Sequence, residues 1–214
     1  MSDVKKISNK LEQIIKDAAL SRLKYLSNRN DLKLTQLKST DVISDEKWII
    51  LIMVFSTTLK IQFKVFFSHA SLKPFLEKNE DLREFSEDVT IYEDFIKEYC
   101  NMVSGAVKQA LELSEGEMAL NDRTRYKLSL PQAVNPSEVH SAEDTAANIE
   151  IANFQSFFEF RIADSFIRVA TVVTINDISK ISRLTQIDLN NILVSNRGDI
   201  DFLGEPPEKF TNVS

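Results

Sequence analysis

Turn formers are scarce in this sequence: four glycines and five prolines among 214 residues. So few argue against a many-turned all-β sandwich and exclude collagen-like or linker-rich designs. One cysteine cannot form an internal disulfide, and with two histidines it cannot furnish a Cys/His zinc site. A reducing, cytoplasmic compartment is the expectation. Long apolar runs are missing too. The longest is Trp48 to Phe55, whereas a membrane span needs roughly 18 residues or more. Met1 to Asp17 alternates Lys with Asp and Glu and lacks the apolar stretch of a signal peptide. Surplus positive charge is also absent. At a net charge of −6 and a pI near 5.1, nothing attracts a phosphate backbone over a broad surface. What is present is ordinary for a globular domain: 43% hydrophobic and 27% charged residues. That is ample for a core and excludes a largely disordered chain. The length fits one domain, or one domain with extensions.

Hydrophobic spacing predicts the elements. Leu11, Ile14, Ile15, Ala18, Ala19, Leu23 and Leu26 recur at three- and four-residue steps, so residues 8–27 read as an amphipathic helix with Ser8 as its N-cap. The polar stretch Ser27 to Lys47 reads as a connector. Trp48 to Phe55 is a solid apolar strand. Leu59 to Ser68 alternates, with Leu59, Ile61, Phe63, Val65 and Phe67 on one face. Joined at Thr57-Thr58, the two predict an antiparallel hairpin. Ala70 to Asn79 is a candidate short helix with Pro74 in its first turn. Glu87 to Glu115 is the longest helical pattern. Tyr126 to Leu130 alternates until Pro131 stops it, and residues 132–149 read as a polar loop. Phe157 to Ile162 and Phe166 to Ile175 form a second hairpin. The tail after Asn176 is weakly patterned. Hairpins flanking one long helix imply an α+β, two-layer domain: a mostly antiparallel sheet packed against long helices. No internal repeat is detectable.

The long helix carries the chemical signal. With Asp94 at zero and 100° per residue, Phe95, Ile96, Tyr99, Cys100, Met102, Val103, Ala106, Val107, Ala110 and Leu111 fill one half-cylinder. The other half carries Asp94, Lys97, Glu98, Asn101, Ser104, Gly105, Lys108, Gln109 and Glu112. Glu98 and Asn101 are neighbours one turn apart, and Gly105 lies between them one turn on. A mid-helix glycine costs about 1 kcal/mol relative to alanine. Two readings are open. A bare patch lets a partner approach closely beside a carboxylate and an amide, or the face is simply solvated and its glycine incidental. A second Glu-x-x-Asn, Glu150 to Asn153, precedes a strand-like segment, where residues three apart point to opposite faces. It lacks the upstream Asp and reads as an accident of composition.

The string from Asp94 through Glu98, Asn101, Met102, Val103 and Gly105 to Leu111 resembles the signature helix of the CheC/CheX/FliY phosphatases of bacterial chemotaxis: Asp-x-x-x-Glu-x-x-Asn, an apolar pair, then Gly. A hairpin before it, Ser129-Leu130-Pro131 after it and a closing hairpin agree in order. The resemblance covers about residues 42–176. It leaves 1–41 as an N-terminal helical extension and 177–214 as a C-terminal one. One motif copy is more like CheX than like CheC. The loop after Pro131 lacks the family's glycine. The resemblance implies hydrolysis of the aspartyl phosphate of a CheY-like response regulator. Asn101 would position the attacking water and Glu98 would pair with the regulator's lysine. Gly105 and Lys108 would meet the partner; Asp94 would orient neighbours or contact the partner, or is simply a solvated acid near the helix start that the dipole favours. It implies no cofactor of the chain's own, with Mg2+ in the regulator's active site, and a homodimer, since CheX proteins pair through strands. An acyl phosphate is already reactive, so orienting a water in line is the main task left. A carboxamide donates and accepts at once without titrating.

Cys100, on the apolar side and with no histidine near in sequence, reads as a small core residue rather than a nucleophile. His69 and His140 read as incidental. Phe158 and Phe160 read as core, and Phe154 and Phe157 are candidates for an interface. The rivals to a phosphatase are a non-catalytic adaptor that docks a response regulator with the same helix face, and a structural protein of the flagellar or signalling machinery. The sequence does not name the regulator.

Overall fold

The computed structural model describes residues 3–38, 48–78, 89–115, 126–134 and 153–187. In chain order these form α1 (Asp3–Leu26), β1 (Lys33–Gln36), β2 (Trp48–Phe55), β3 (Leu59–Phe67), α2 (His69–Leu76), α3 (Val89–Glu115), β4 (Lys127–Leu128), β5 (Gln132–Val134), β6 (Asn153–Ile162), β7 (Ser165–Ile175) and a 3-10 segment (Ser179–Gln186). The seven strands make one sheet in the order β1-β6-β7-β3-β2, with β4 and β5 both on the outer edge of β2. Every pairing is antiparallel. This is the α+β, two-layer architecture that the alternating hairpins imply.

Period-two alternation fixes the buried face. Ile52 stands opposite Phe63 and Phe63 opposite Thr171, while Val65 stands opposite Val169 and Val169 opposite Phe158. All six of these side chains are buried. Ile7, Leu11, Ile14 and Leu23 of α1, Leu72 and Phe75 of α2, Tyr99 and Val103 of α3, and Ile181 and Leu184 of the 3-10 segment belong to the same core. At about 25 cal/mol per Å2 of apolar surface, each such fully buried side chain stabilises the fold by about 1.5–3 kcal/mol relative to staying exposed.

The N-terminal segment is therefore not an appendage. α1 supplies the core directly, and Glu12 fastens it to β6 by accepting a hydrogen bond from Ser156 at 2.8 Å and one from Lys16 at 2.7 Å. The helix starts at Asp3, so Ser8 lies inside it instead of capping it. β1 sits in the stretch read as a connector. The 3-10 segment buries Ile181 and Leu184, so the first part of the tail is core as well. The expected boundary near residue 41 and the tail beyond 187 lie outside the described residues. α2 is capped by Ser68, whose hydroxyl accepts from the Ser71 amide while Ser71 reaches back to the Ser68 amide. Pro74 stands inside α2, not in its first turn.

The element order runs helix, edge strand, hairpin, helical segment twice: α1-β1-β2-β3-α2, then α3-β4/β5-β6-β7 and the 3-10 segment. The sheet order mirrors this, with β3 and β7 central and each half's edge strand paired to the other half's hairpin. The topology thus has an approximate two-fold axis between β3 and β7, although the sequence shows no repeat.

Candidate functional site

α3 is a continuous helix through the motif. Its inner half behaves as the periodicity dictates: Phe95, Ile96, Tyr99, Cys100, Val103, Ala106, Val107, Ala110 and Leu111 are buried, whereas Met102 is only half-buried. Tyr99 packs on Phe63 and Phe160, with ring centroids 6.0 and 6.5 Å apart. The N-terminal end is fixed by stacking: His69 lies between Trp48 and Tyr92, at 5.2 and 5.4 Å. The C-terminal end is fixed by Tyr126, which donates to Glu115 at 2.7 Å. Burial, together with the Glu115 carboxylate that accepts from it, pushes the Tyr126 hydroxyl far up. Both ends being anchored, the outward stripe is rigidly presented.

Asp94, Glu98 and Asn101 are exposed on that stripe, and Gly105 and Lys108 are half-exposed. One turn apart, the Glu98 and Asn101 Cβ atoms are about 5–6 Å from each other. Lys97 lies 3.4 Å from both Glu93 and Asp94, and Lys108 lies 3.6 Å from Glu112. Nearby cations are thereby drawn to other acids. Among the described residues the side chains of Glu98 and Asn101 have neither ion pair nor hydrogen bond. A carboxylate and a carboxamide stand side by side, uncommitted, on a stripe where Glu93, Asp94, Glu98 and Glu112 outnumber Lys97 and Lys108. The arrangement suits a cationic group and a water or phosphoryl oxygen brought by a partner.

A Cβ built at Gly105 meets nothing within 4 Å. No neighbour in the chain excludes a side chain there, and no left-handed backbone calls for glycine. Asp94 has a local role in its contact with Lys97, and Lys108 has one in its contact with Glu112. Ser104, placed with the polar half by the helical projection, is buried, and its hydroxyl lacks a partner. Cys100 is fully buried, and desolvation pushes its thiol well above the ordinary range; it is a core residue. Phe158 and Phe160 are core, while Phe154 is partly buried against the core. His140 and most of the second Glu-x-x-Asn lie outside the described residues; Asn153 opens β6.

Ser129-Leu130-Pro131 forms a device the sequence did not reveal. Leu128 stands opposite Val54 and Gln132 opposite Leu51. Three residues therefore face Ile52 and Met53, and one is extra: a β-bulge. Ser129 anchors it. Its amide donates to the Met53 carbonyl at 2.9 Å, and its hydroxyl accepts from the Met53 amide at 2.9 Å. Leu130 is thrown outward and is 80% exposed.

Among the described residues no group of three or more His, Cys, Asp or Glu is arranged to hold a metal ion, and no helix is long and apolar enough to cross a membrane.

No family model and no curated protein matches this sequence. Solved structures do match. The chemotaxis protein CheX of Vibrio vulnificus is similar over 77% of this chain and 99% of its own, with 14% identity and a TM-score of 0.53. A CheC-like superfamily protein of Shewanella sp. PV-4 covers 77% of this chain and 97% of its own, with 17% identity and a TM-score of 0.51. CheX in a complex with CheY, BeF3 and Mg2+ from Borrelia burgdorferi covers 75% and 96%, with 12% identity and a TM-score of 0.50. The fold is that of the CheX and CheC-like proteins.

Proposed function

We propose that this chain is a CheX-like phosphatase acting in the cytoplasm on the aspartyl phosphate of a CheY-like response regulator. The observation that carries the reading is the state of Glu98 and Asn101: adjacent, exposed and unengaged on a helix anchored at both ends. The likeness to a CheX protein solved with CheY supports a receiver domain as the partner, and it extends to the fold in which this helix is set.

Glu98 pairs with the regulator's active-site lysine and fixes the register; such a charge-assisted bond at an interface contributes about 1.5–3 kcal/mol. Asn101 accepts a hydrogen bond from a water and so turns the water's lone pair toward phosphorus, opposite the leaving carboxylate of the regulator's aspartate; the water's protons pass to the phosphate and solvent. The water's oxygen bonds to phosphorus, the P–O bond to the aspartyl carboxylate breaks, and inorganic phosphate departs. The Mg2+ belongs to the regulator. Gly105 and Lys108 lie under the docked partner, and Asp94 borders it. A pair of these chains joined through strands, as the resemblance implies, is read by light scattering.

The test is the decay of phosphorylated regulator, screened over receiver domains. The phosphatase accelerates decay of at least one of them. Binding with an unchanged decay rate for every receiver overturns catalysis and leaves an adaptor.

A further inference from the structure

Leu130 is the most exposed large apolar side chain among the described residues, at 80%, and Leu128 beside it is 38% exposed. The contacts of the sheet edge they stand on locate them relative to α3. Tyr126, which leads into β4, meets Glu115 at the C-terminal end of α3. β4 and β5 then run antiparallel to β2, from Lys127 opposite Phe55 to Val134 opposite Ile49. Their direction is therefore back toward the end where Trp48, His69 and Tyr92 stack. Leu130 is four residues on from Tyr126. At about 3.3 Å per strand residue and about 1.5 Å per helix residue, that sets it level with a point about nine residues before Glu115, beside Gly105. The side is fixed as well. With Asp94 at zero, Glu115 projects at about 300° and Ser104 at about 280°, and Ser104 is buried. The flank of α3 turned to this edge thus continues into Lys108 at about 320° and Asn101 at about 340°, while Glu98, at about 40°, is on the far side of the stripe. Leu130 borders the exposed stripe on the side of Asn101, about one and a half turns along from it.

Resting on the function proposed above, we infer that Leu130 is an apolar anchor for the docked regulator: it fills an apolar depression on the receiver surface beside the phosphorylated site, and selects receivers that carry one. The exposed members of the stripe, Asp94, Glu98 and Asn101, are all polar, so Leu130 adds the one kind of contact they lack. Its presentation is rigid. Two hydrogen bonds between Ser129 and Met53, each of 2.9 Å, fix the bulge, and Pro131 restricts the backbone of the residue before it to extended conformations. A side chain held in place beforehand gives up little freedom on binding. A second copy of the chain is the poorer occupant, because pairing of edge strands needs a regular row of amides and this edge offers a bulge and a proline.

Single-turnover decay of a phosphorylated CheY-like regulator, followed at rising concentrations of the full chain, tests this by separating the half-saturating concentration from the maximal rate. The regulator is one whose decay the unsubstituted chain accelerates. Leu130→Asp raises the half-saturating concentration about 10- to 150-fold, the range that loss of one buried leucine side chain implies, and leaves the maximal rate within about twofold. Leu130→Ala moves it in the same direction by less, and Leu130→Met keeps it close to that of the unsubstituted chain. The side chain stands in solvent, so all three variants keep their melting temperature, which circular dichroism checks. A half-saturating concentration unmoved in both Leu130→Asp and Leu130→Ala overturns the inference, as does a fall confined to the maximal rate. Light scattering on the same samples addresses a second copy: a dimer that Leu130→Asp splits gives Leu130 to that copy and also overturns it. These outcomes leave the phosphatase standing. A chain that accelerates no receiver, or binds undiminished with Glu98→Lys, refutes the function proposed above, and the inference falls with it.

Discussion

Replacing Gly105 by alanine separates stability from function. The position is in the middle of a 27-residue helix, and a Cβ there meets nothing within 4 Å. Alanine removes the conformational freedom that glycine gives the unfolded chain and introduces no clash in the folded one. The expected gain is about 1 kcal/mol. For a domain of this size that raises Tm by about 2–4 °C. In the complex proposed above, the same methyl stands where a regulator's backbone would approach Glu98 and Asn101. Overpacking a close contact costs about 1–3 kcal/mol, and each 1.4 kcal/mol is tenfold in affinity, so regulator binding weakens about 5- to 150-fold. Thermal unfolding followed by circular dichroism and decay of phosphorylated regulator are measured on the same preparation. A higher Tm with slower decay is the expected pair. A higher Tm with unchanged binding and decay refutes the argument, because glycine then serves no partner. A lower Tm refutes the premise that the space above Gly105 is empty.

Three other perturbations follow from the same geometry. Asn101→Ala abolishes accelerated decay while leaving regulator affinity within about threefold, whereas Glu98→Lys removes both, as titration and decay assays on the same samples will show. Tyr99→Phe stabilises the chain by about 1 kcal/mol in chemical denaturation, because the Tyr99 hydroxyl is buried without a partner and an unsatisfied polar group carries a desolvation penalty of that order. Burial pushes the Glu12 carboxyl up, but its hydrogen bonds to Lys16 and Ser156 outweigh this and hold it below its ordinary value of 4.5. A carboxyl depressed in the folded state contributes stability that is present above the unfolded value and lost as pH falls through the folded one. Glu12→Gln therefore lowers stability at pH 7 and flattens its decline on acidification below about pH 4.5. Equal slopes for the two proteins in acid would contradict this.

Much of the fold was legible because burial imposes period. The half-cylinder of α3 and the alternation of β3 each have ten or so residues voting for one geometry. β1 escaped because four residues, Lys33 to Gln36, leave only Leu34 facing the core side, and their stability comes from backbone pairing with Gln36 opposite Phe158, which no side-chain pattern reports. β5 escaped because Pro131 is a stop signal in most strands, yet on an outer edge a missing amide costs nothing and a bulge absorbs it. The place of α1 escaped for a different reason. An amphipathic helix announces that it packs, not against what. At the site, the spacing of Glu98 and Asn101 was readable and their exposure followed from it. Ser104 was misplaced because a helical wheel assigns faces by angle, while α3 is also enclosed on its flanks by α1 and the 3-10 segment.

The exchange of edge strands makes each half of the chain incomplete by construction. Cut between α2 and α3, the first piece would keep β2 and β3 but lose β4 and β5 from one flank and β7 from the other. The second would lose the strand that shields β6. Neither fragment could satisfy its backbone alone, yet the two should recognise one another through four sets of strand pairings. A protein wired in this manner melts as a unit, and could be reassembled from its halves as a reporter whose signal requires both.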